Sequence, residues 1–364
     1  MPTAPVNDDG TVLYYEDSGV PAESTDYITI VLIHGTCFHG AIYRPLLPFA
    51  AERNLRLVFL NQRGYPGSTA FTSGDVEGLR GPNDEQGQVM RDRGLEIAEF
   101  LQWFIETASI PPIKTTPDLN ASTGGISLLA WSGGTMASTA MLAHADKLSE
   151  GTQKLLSEYI RSCVMYDPSG FATGQPLPPG LSTLKIAPSL SVDVQLADFA
   201  LSVASYYPPY TLNEGADLPT SFDPPRTPLV GEEYTPTTSN MAPGFLASLT
   251  QAPLLELHQH LIWGVSRDVF RENTKRALLD CRLRAPAEGS GERAKVWPNL
   301  PVHVVWCEMT VGECLWGVLV IRHRFEHAKP EHRRNLIFHK LADANHFLHW
   351  EDPERFVHFL AGIV

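Results

Sequence analysis

A chain of 364 residues is long enough for about two domains and a large buried core. Its apolar content of 43% and charged content of 19% are those of an ordinary globular protein, and a net charge of −13 argues against nucleic acid or an anionic membrane as partner. Five scattered cysteines (Cys37, Cys163, Cys281, Cys307, Cys314), odd in number and without a CxxC pair, read as free thiols in a reducing compartment and define no metal site.

The polar, acidic start over residues 1–10 lacks the parts of a secretory signal, and no stretch approaches the roughly eighteen uninterrupted apolar residues of a membrane helix, so the expected location is the cytoplasm. After the turn pair Asp9-Gly10, residues 11–19 predict an edge strand. Residues 27–33 are β-branched and almost wholly apolar, the pattern of a strand buried on both faces of a parallel sheet, and they end at His34-Gly35-Thr36-Cys37. A helical stretch over 41–52 leads to a second buried strand at 55–60, which closes on Asn61-Gln62-Arg63-Gly64-Tyr65-Pro66-Gly67-Ser68. Alternating strands and helices predict an α/β sheet. Residues 69–87, with many Gly, Asp and Glu, read as a loop. Over 88–109 the apolar positions Ile97, Leu101, Phe104 and Ile105 recur at helical spacing until Pro111-Pro112, and 113–125 reads as a surface excursion.

Residues 126–130 are apolar, 135–148 are rich in Ala, Met and Leu, and Trp131-Ser132-Gly133-Gly134 lies between them. Read as strand, sharp turn and helix, the stretch puts Ser132 at the apex of a nucleophile elbow. Such a turn strains the serine backbone and requires small neighbours, which Ala130, Gly133 and Gly134 supply. A plain Ser-Gly-Gly turn between a buried strand and a helix would share these features.

A short strand at 162–166 stops at Asp167-Pro168-Ser169-Gly170. From about Phe171 to Pro298 prolines are many and strand patterns few, which reads as an inserted cap with helices near 192–204, 242–250 and 254–282; its interspersed Leu, Phe, Tyr and Trp argue against disorder. The sheet resumes at 302–306, followed by a helix over 310–327, a last strand at 336–341 and a loop over 342–350. Asp352-Pro353 then caps a final helix to Ile363. The resulting division is a core over 1–168, a cap or lid over 169–298, and the rest of the core over 299–364.

Five stretches in register resemble the α/β-hydrolase fold superfamily: Asp9-Gly10 through Ser18-Gly19, Ile33-His34-Gly35-Thr36, the run from Gln62 to Ser68, Ala130-Trp131-Ser132-Gly133-Gly134, and Ala344-Asn345-His346-Phe347 with Asp352-Pro353-Glu354. The resemblance implies an α/β fold, a mostly parallel central sheet flanked by helices with a helical cap inserted after the sixth strand; it fixes the machinery better than the substrate. It makes Ser132 the nucleophile and, of thirteen histidines, His346 the base, because His346 lies in the loop after the last strand. His349 and His358 read as surface or packing residues, His34 as a buried hydrogen-bonder, and His258 with His260 as a pair without companion metal ligands.

The acid departs from the family pattern. Most members carry an Asp where this chain has Thr310, and a neutral hydroxyl cannot stabilise an imidazolium. Two carboxylates can replace it: Asp167, at a strand end from which some relatives take their acid, and Glu308 as the alternative. Asp167 is preferred, although a strand-ending Asp-Pro is also a common turn. The resemblance further implies backbone N–H groups of Gly133 and Thr36 as oxyanion donors.

The expected activity is hydrolysis of a small to medium apolar ester or lactone through an acyl-enzyme on Ser132, with no cofactor and no metal. Trp131, Cys37, Tyr206 and Tyr207 are the candidate pocket residues. C–C bond hydrolysis and acyl transfer would use the same residues, and a non-enzymatic ligand-binding protein is the alternative of another class. Ser132 where haloalkane dehalogenases and epoxide hydrolases carry Asp points away from those two activities. Substrate identity and oligomeric state stay open.

Overall fold

The computed structural model describes residues 2–116, 121–181, 189–213, 215–284 and 293–364. Its strands are β1 (Thr3–Pro5), β2 (Val12–Asp17), β3 (Ile28–Ile33), β4 (Leu55–Leu60), β5 (Lys114–Thr116), β6 (Ala121–Thr123), β7 (Ile126–Trp131), β8 (Ile160–Tyr166), β9 (Val302–Cys307) and β10 (Leu336–Leu341). Eight of them form one sheet in the order β1-β2-β4-β3-β7-β8-β9-β10, antiparallel at β1-β2 and β2-β4 and parallel from there on. β5 and β6 pair separately.

β4, β7 and β9 are buried at every position, as their unbroken apolar runs require when both faces are covered. Alternate residues serve opposite faces. Val31, Ile33, Leu128 and Ala130 pack with Ile97, Leu101 and Phe104 of the helix Asn83–Thr107. Ile30, Leu32, Leu129 and Trp131 pack with Phe356 and Leu360 of the helix Pro353–Ile363. All five cysteines are buried free thiols, and among the described residues no helix is long and apolar enough to cross a membrane.

Three local expectations are corrected. Residues 69–87 hold a helix, Ser73–Arg80, because Thr72 and Asp75 form a reciprocal capping box that outweighs two glycines: Asp75 N–H donates to Thr72 Oγ1 at 3.1 Å, and Thr72 N–H to Asp75 Oδ2 at 2.7 Å. The stretch 41–52 is mainly a 3-10 helix, Gly40–Leu46, since Pro45 and Pro48 withhold two amide donors. The helix after the elbow, Thr135–Ala143, stops five residues before the expected end, and a further helix, Glu150–Tyr159, precedes β8.

Between β8 and β9 the described residues add no strand to the sheet. The helix Val192–Ala204 coincides with the expected one, and Pro243–Leu249 falls inside 242–250. The expected run 254–282 breaks at 264–266, where Ser266 caps the helix Arg267–Thr274. Residues 182–188, 214 and 285–292 of the expected cap lie outside the described residues. Phe199, Val203 and Leu255 share a buried cluster with Phe38 and Trp131, so the segment closes directly on the sheet.

Candidate active site

β3 pairs with β4 on one side and with β7 on the other, so the chain reverses its direction of travel across the sheet at β3. At such a switch point the carboxyl ends of neighbouring strands splay apart, which is where open α/β sheets bind ligands. Here those ends carry His34–Cys37 and Ser132.

Ser132 has φ +51°, left-handed for a residue with a Cβ, at a cost of about 1–2 kcal/mol. A single 3-10 turn, Ser132–Gly134, then enters the helix Thr135–Ala143. The turn is held from outside: Thr135 Oγ1 donates to the Ser132 carbonyl at 2.5 Å, and Ser169 N–H reaches it at 3.4 Å. The small residues are required by a neighbouring loop as much as by the turn itself. A Cβ on Gly133 would collide with Thr36 Oγ1 and stand 3.3 Å from Thr36 N, and one on Gly35 would stand 3.1 Å from Ser132 Cβ. The Thr36 amide therefore lies beside Gly133.

Asp167 ends β8 with φ +48° and is fully buried. Three donors converge on its carboxylate: His346 Nδ1 at 2.7 Å and Thr310 Oγ1 at 2.6 Å on Oδ2, and Cys307 N–H at 3.0 Å on Oδ1. A buried carboxylate needs such partners. Donation from Nδ1 leaves Nε2 as the basic nitrogen of a neutral ring. The His346 loop is pinned to the elbow, since Trp131 Nε1–H donates to the His346 carbonyl at 3.1 Å. Asn345 ties it to the covering segment through Ala204 O at 3.0 Å and Thr237 Oγ1 at 2.8 Å.

Thr310, at the position where the resemblance leads one to expect a carboxylate, instead donates its hydroxyl to the Asp167 carboxylate. Thr310→Val is expected to lower stability by about 2 kcal/mol, the usual worth of a hydrogen bond to a charged group, while Thr310→Ser retains it. Thermal midpoints of the two variants check this, and an unchanged midpoint in Thr310→Val would show the hydroxyl to be idle.

Cys314, in the first turn of the helix Gly312–His327, is a site neighbour that sequence reasoning missed. Its thiol lines the same cavity as Ser132, and burial, with the Asp167 and Glu313 carboxylates nearby, pushes it well above the ordinary thiol range and keeps it protonated. The Ser132 hydroxyl makes no hydrogen bond to His346 in this structure, a contact that in unliganded sites commonly tightens only around substrate. Asp167, Cys314 and His346 bring ligand-type atoms within 4.8 Å of one another, but a metal there would have to break the 2.7 Å pair.

Glu308 is turned away. It takes Lys340 Nζ at 2.6 Å and Asp343 N–H at 3.2 Å, and Lys340 holds its carboxyl below the usual range. His258 and His260 meet separate partners, Tyr65 and Arg80. His34 donates from Nδ1 to Gly35 O at 3.0 Å and accepts Gln62 N–H on Nε2 at 3.0 Å, and burial lowers its pKa to about 3. His349 is buried in packing and His358 lies on the surface.

The cavity at Ser132 and Thr36 encloses about 30 Å³, room for a water molecule or two. Its apolar wall is Phe171, Phe199, Val203, Ile262 and Trp263 from the segment between β8 and β9, with Val311 from beyond β9. None of the four candidate pocket residues reaches that wall. Trp131 lies under the elbow because its indole N–H takes the His346 carbonyl. Cys37 is sealed in, its amide held by the Tyr65 hydroxyl. Tyr207 is buried behind Val311 and Cys314 with its hydroxyl on Ser202 O at 2.9 Å, and Tyr206 packs on Tyr234. The i, i+4 spacing of Phe199 and Val203 on one helix face was the available signal for the true lining.

A model described as the alpha/beta hydrolase family matches residues 30–359. The chain belongs to the alpha/beta hydrolase family. No protein of curated function matches this hydrolase by sequence. Among solved structures it is similar to a thermophilic esterase from Thermogutta terrifontis, at TM-score 0.50 and 12% identity over 100% of this chain and 97% of that one. It is also similar to an N-acyl homoserine lactone degrading enzyme, at 0.50 and 14% over 100% of both chains. A serine hydrolase from the polyaromatic hydrocarbon-degrading bacterium Cycloclasticus zankles scores 0.53 at 10% identity, over 99% and 96%. At such identities the likeness is one of fold, and this hydrolase's chemistry has to be argued from its own site.

Proposed function

We propose that this α/β hydrolase cleaves an ester or lactone of a small to medium apolar substrate through an acyl-enzyme on Ser132. The observation that carries the reading is the buried Asp167–His346 pair, closed at 2.7 Å beside a serine held at φ +51°. His346 Nε2 takes the Ser132 proton as Oγ attacks the carbonyl carbon, and Asp167 stabilises the imidazolium that forms. The N–H groups of Gly133 and Thr36 donate to the developing oxyanion, each worth about 3 kcal/mol. The imidazolium then protonates the leaving alkoxide, which in a lactone stays tethered to the acyl group. Water, deprotonated by His346, releases the acid and restores the serine.

The apolar wall from Phe171 to Trp263 favours an apolar acyl or alkyl group. A space of about 30 Å³ admits no such group, so residues 169–298 act as a cap that opens for substrate, over a core made of 1–168 and 299–364. The esterase and lactone-degrading neighbours are compatible with this chemistry. Five free thiols suit a cytoplasmic setting.

A fluorophosphonate probe is expected to label wild-type protein at one site, Ser132, and Ser132→Ala to take no label and turn over no ester or lactone in a panel of short and aromatic substrates. Absence of an adduct on the folded wild-type protein would overturn the reading and favour a non-enzymatic binder.

A further inference from the structure

The buried hydroxyl of Tyr65 has no part in the chemistry above, yet three groups converge on it. Tyr65 lies in the turn after β4 with its ring against His34, 3.9 Å between centroids. Cys37 N–H donates to its Oη at 3.1 Å, the Gly35 carbonyl stands 3.2 Å away, and His258 Nε2 stands 2.5 Å away. Gly35 and Cys37 flank Thr36. His258 ends the helix Ala252–His258 of the segment that covers the site. One hydroxyl therefore joins the loop bearing Thr36 to the covering segment.

Counting protons fixes the direction of these bonds. Oη has one proton to give and two lone pairs, and Cys37 N–H fills one of the pairs. Burial and the nearby Arg93 guanidinium hold His258 well below the ordinary imidazole range, so its ring is neutral with a single N–H. Were that proton on Nδ1, it would be a buried donor without a partner, since Nδ1 has none. With the proton on Nε2, His258 donates to Oη, Oη–H donates to the Gly35 carbonyl, and only an acceptor goes unfilled. Buried orphan acceptors are tolerated better than orphan donors, which favours the second arrangement.

Two further features show that the contact is built. Gly64, next to Tyr65, has φ +82°, and a Cβ there would stand 2.5 Å from Leu257 Cδ2, so the covering helix is seated directly on this turn. Cys37 has φ +64°, an unfavourable backbone for a residue with a side chain, which persists only when its surroundings hold it.

We infer that Tyr65 is a positioning residue: held by His258, its hydroxyl sets the Gly35 and Cys37 peptide groups so that the Thr36 N–H faces the oxyanion, and seating of the helix Ala252–His258 completes the oxyanion hole. The inference rests on the acyl-enzyme reading of Ser132. It makes closure over the substrate and assembly of the catalytic donors a single event, so the open enzyme is not competent.

Tyr65→Phe and His258→Leu break the link from either side, and His258→Gln keeps a neutral donor near the Nε2 position. The readouts are kcat and KM for a hydrolysed ester and the affinity for a trifluoromethyl ketone, each per active site titrated with fluorophosphonate. In both link-breaking variants kcat is expected to fall about 10- to 100-fold, the usual cost of a small misplacement of catalytic groups. The ketone should bind more weakly by the same factor, with KM unchanged and His258→Gln close to wild type. A lowered melting temperature with unchanged kcat per titrated site would overturn the inference, as would His258→Gln being as impaired as His258→Leu. Wild-type protein that takes no label and cleaves no ester would fail the acyl-enzyme reading first, and this inference with it.

Discussion

Asp167→Asn is expected to lower kcat for ester hydrolysis by about 10⁴-fold, the size of effect seen when a catalytic imidazole is locked in the wrong tautomer. The reason lies in the three donors that surround the carboxylate. Cys307 N–H is a fixed backbone donor on Oδ1, so an amide placed here must put its oxygen on that side. Its NH2 group then faces Thr310 and His346. Thr310 can rotate its hydroxyl and accept. His346 can accept only by giving up the proton on Nδ1, which moves it to Nε2 and removes the base. Glu308→Gln, by contrast, disturbs only the partly exposed pair with Lys340 and is expected to change kcat by less than about twofold. Steady-state kinetics of the two variants decide between the acids, and near-normal turnover in Asp167→Asn would exclude Asp167.

Acid is expected to destabilise the fold far above the pH at which carboxylates protonate. His34, His258 and His349 are fully buried, and burial lowers all three, His34 to about 3. The unfolded chain takes up these protons below about pH 6.5, whereas the folded chain refuses them until much lower pH. Their contribution is therefore fully present above that pH and is lost as pH falls towards the folded-state values. Three such groups together remove up to about 4 kcal/mol per pH unit. By about pH 5 the three together have removed about 6 kcal/mol, a large part of a total stability of about 5–15 kcal/mol. The melting temperature should be flat from pH 8 to 7 and fall steeply below about pH 6. His349 lies against Trp131 at 4.5 Å between ring centroids, and its Nε2 has no hydrogen-bond partner, so His349→Phe fits the site and should remove about a third of the slope. A melting temperature that barely changes between pH 7 and 5 would refute the argument.

What was legible in the sequence was what local backbone demands dictate. A serine forced to positive φ between a buried strand and a helix must have small neighbours, so 130–134 was readable as a turn of a particular kind. Asp167 was readable only through the resemblance, as the residue at a strand end from which some relatives take their acid; taken alone, Asp-Pro after an apolar strand is equally a turn. The helix Ser73–Arg80 was hidden by Gly74 and Gly78, although Thr72 and Asp75 at capping-box spacing were there to be read. The cavity wall was not readable in this way. Phe171, Phe199 and Trp263 meet only because separate parts of a long insertion fold together over Thr36 and Ser132, and no window of sequence contains that event. Tyr206 and Tyr207 do not line this cavity, because adjacent aromatics are as suited to packing within the protein, here on Tyr234 and on Val311 with Cys314, as to facing a substrate.

Thr310 Oγ1, from beyond β9, and His346 Nδ1, from the loop beyond β10, converge at 2.6 and 2.7 Å on one carboxylate oxygen of Asp167, at the end of the neighbouring parallel strand β8. A carboxylate rooted at position 310 would bring its oxygen to much the same point in space. The charge can therefore migrate between strands over the history of such proteins, by way of an ancestor holding both, while the imidazole never loses its partner.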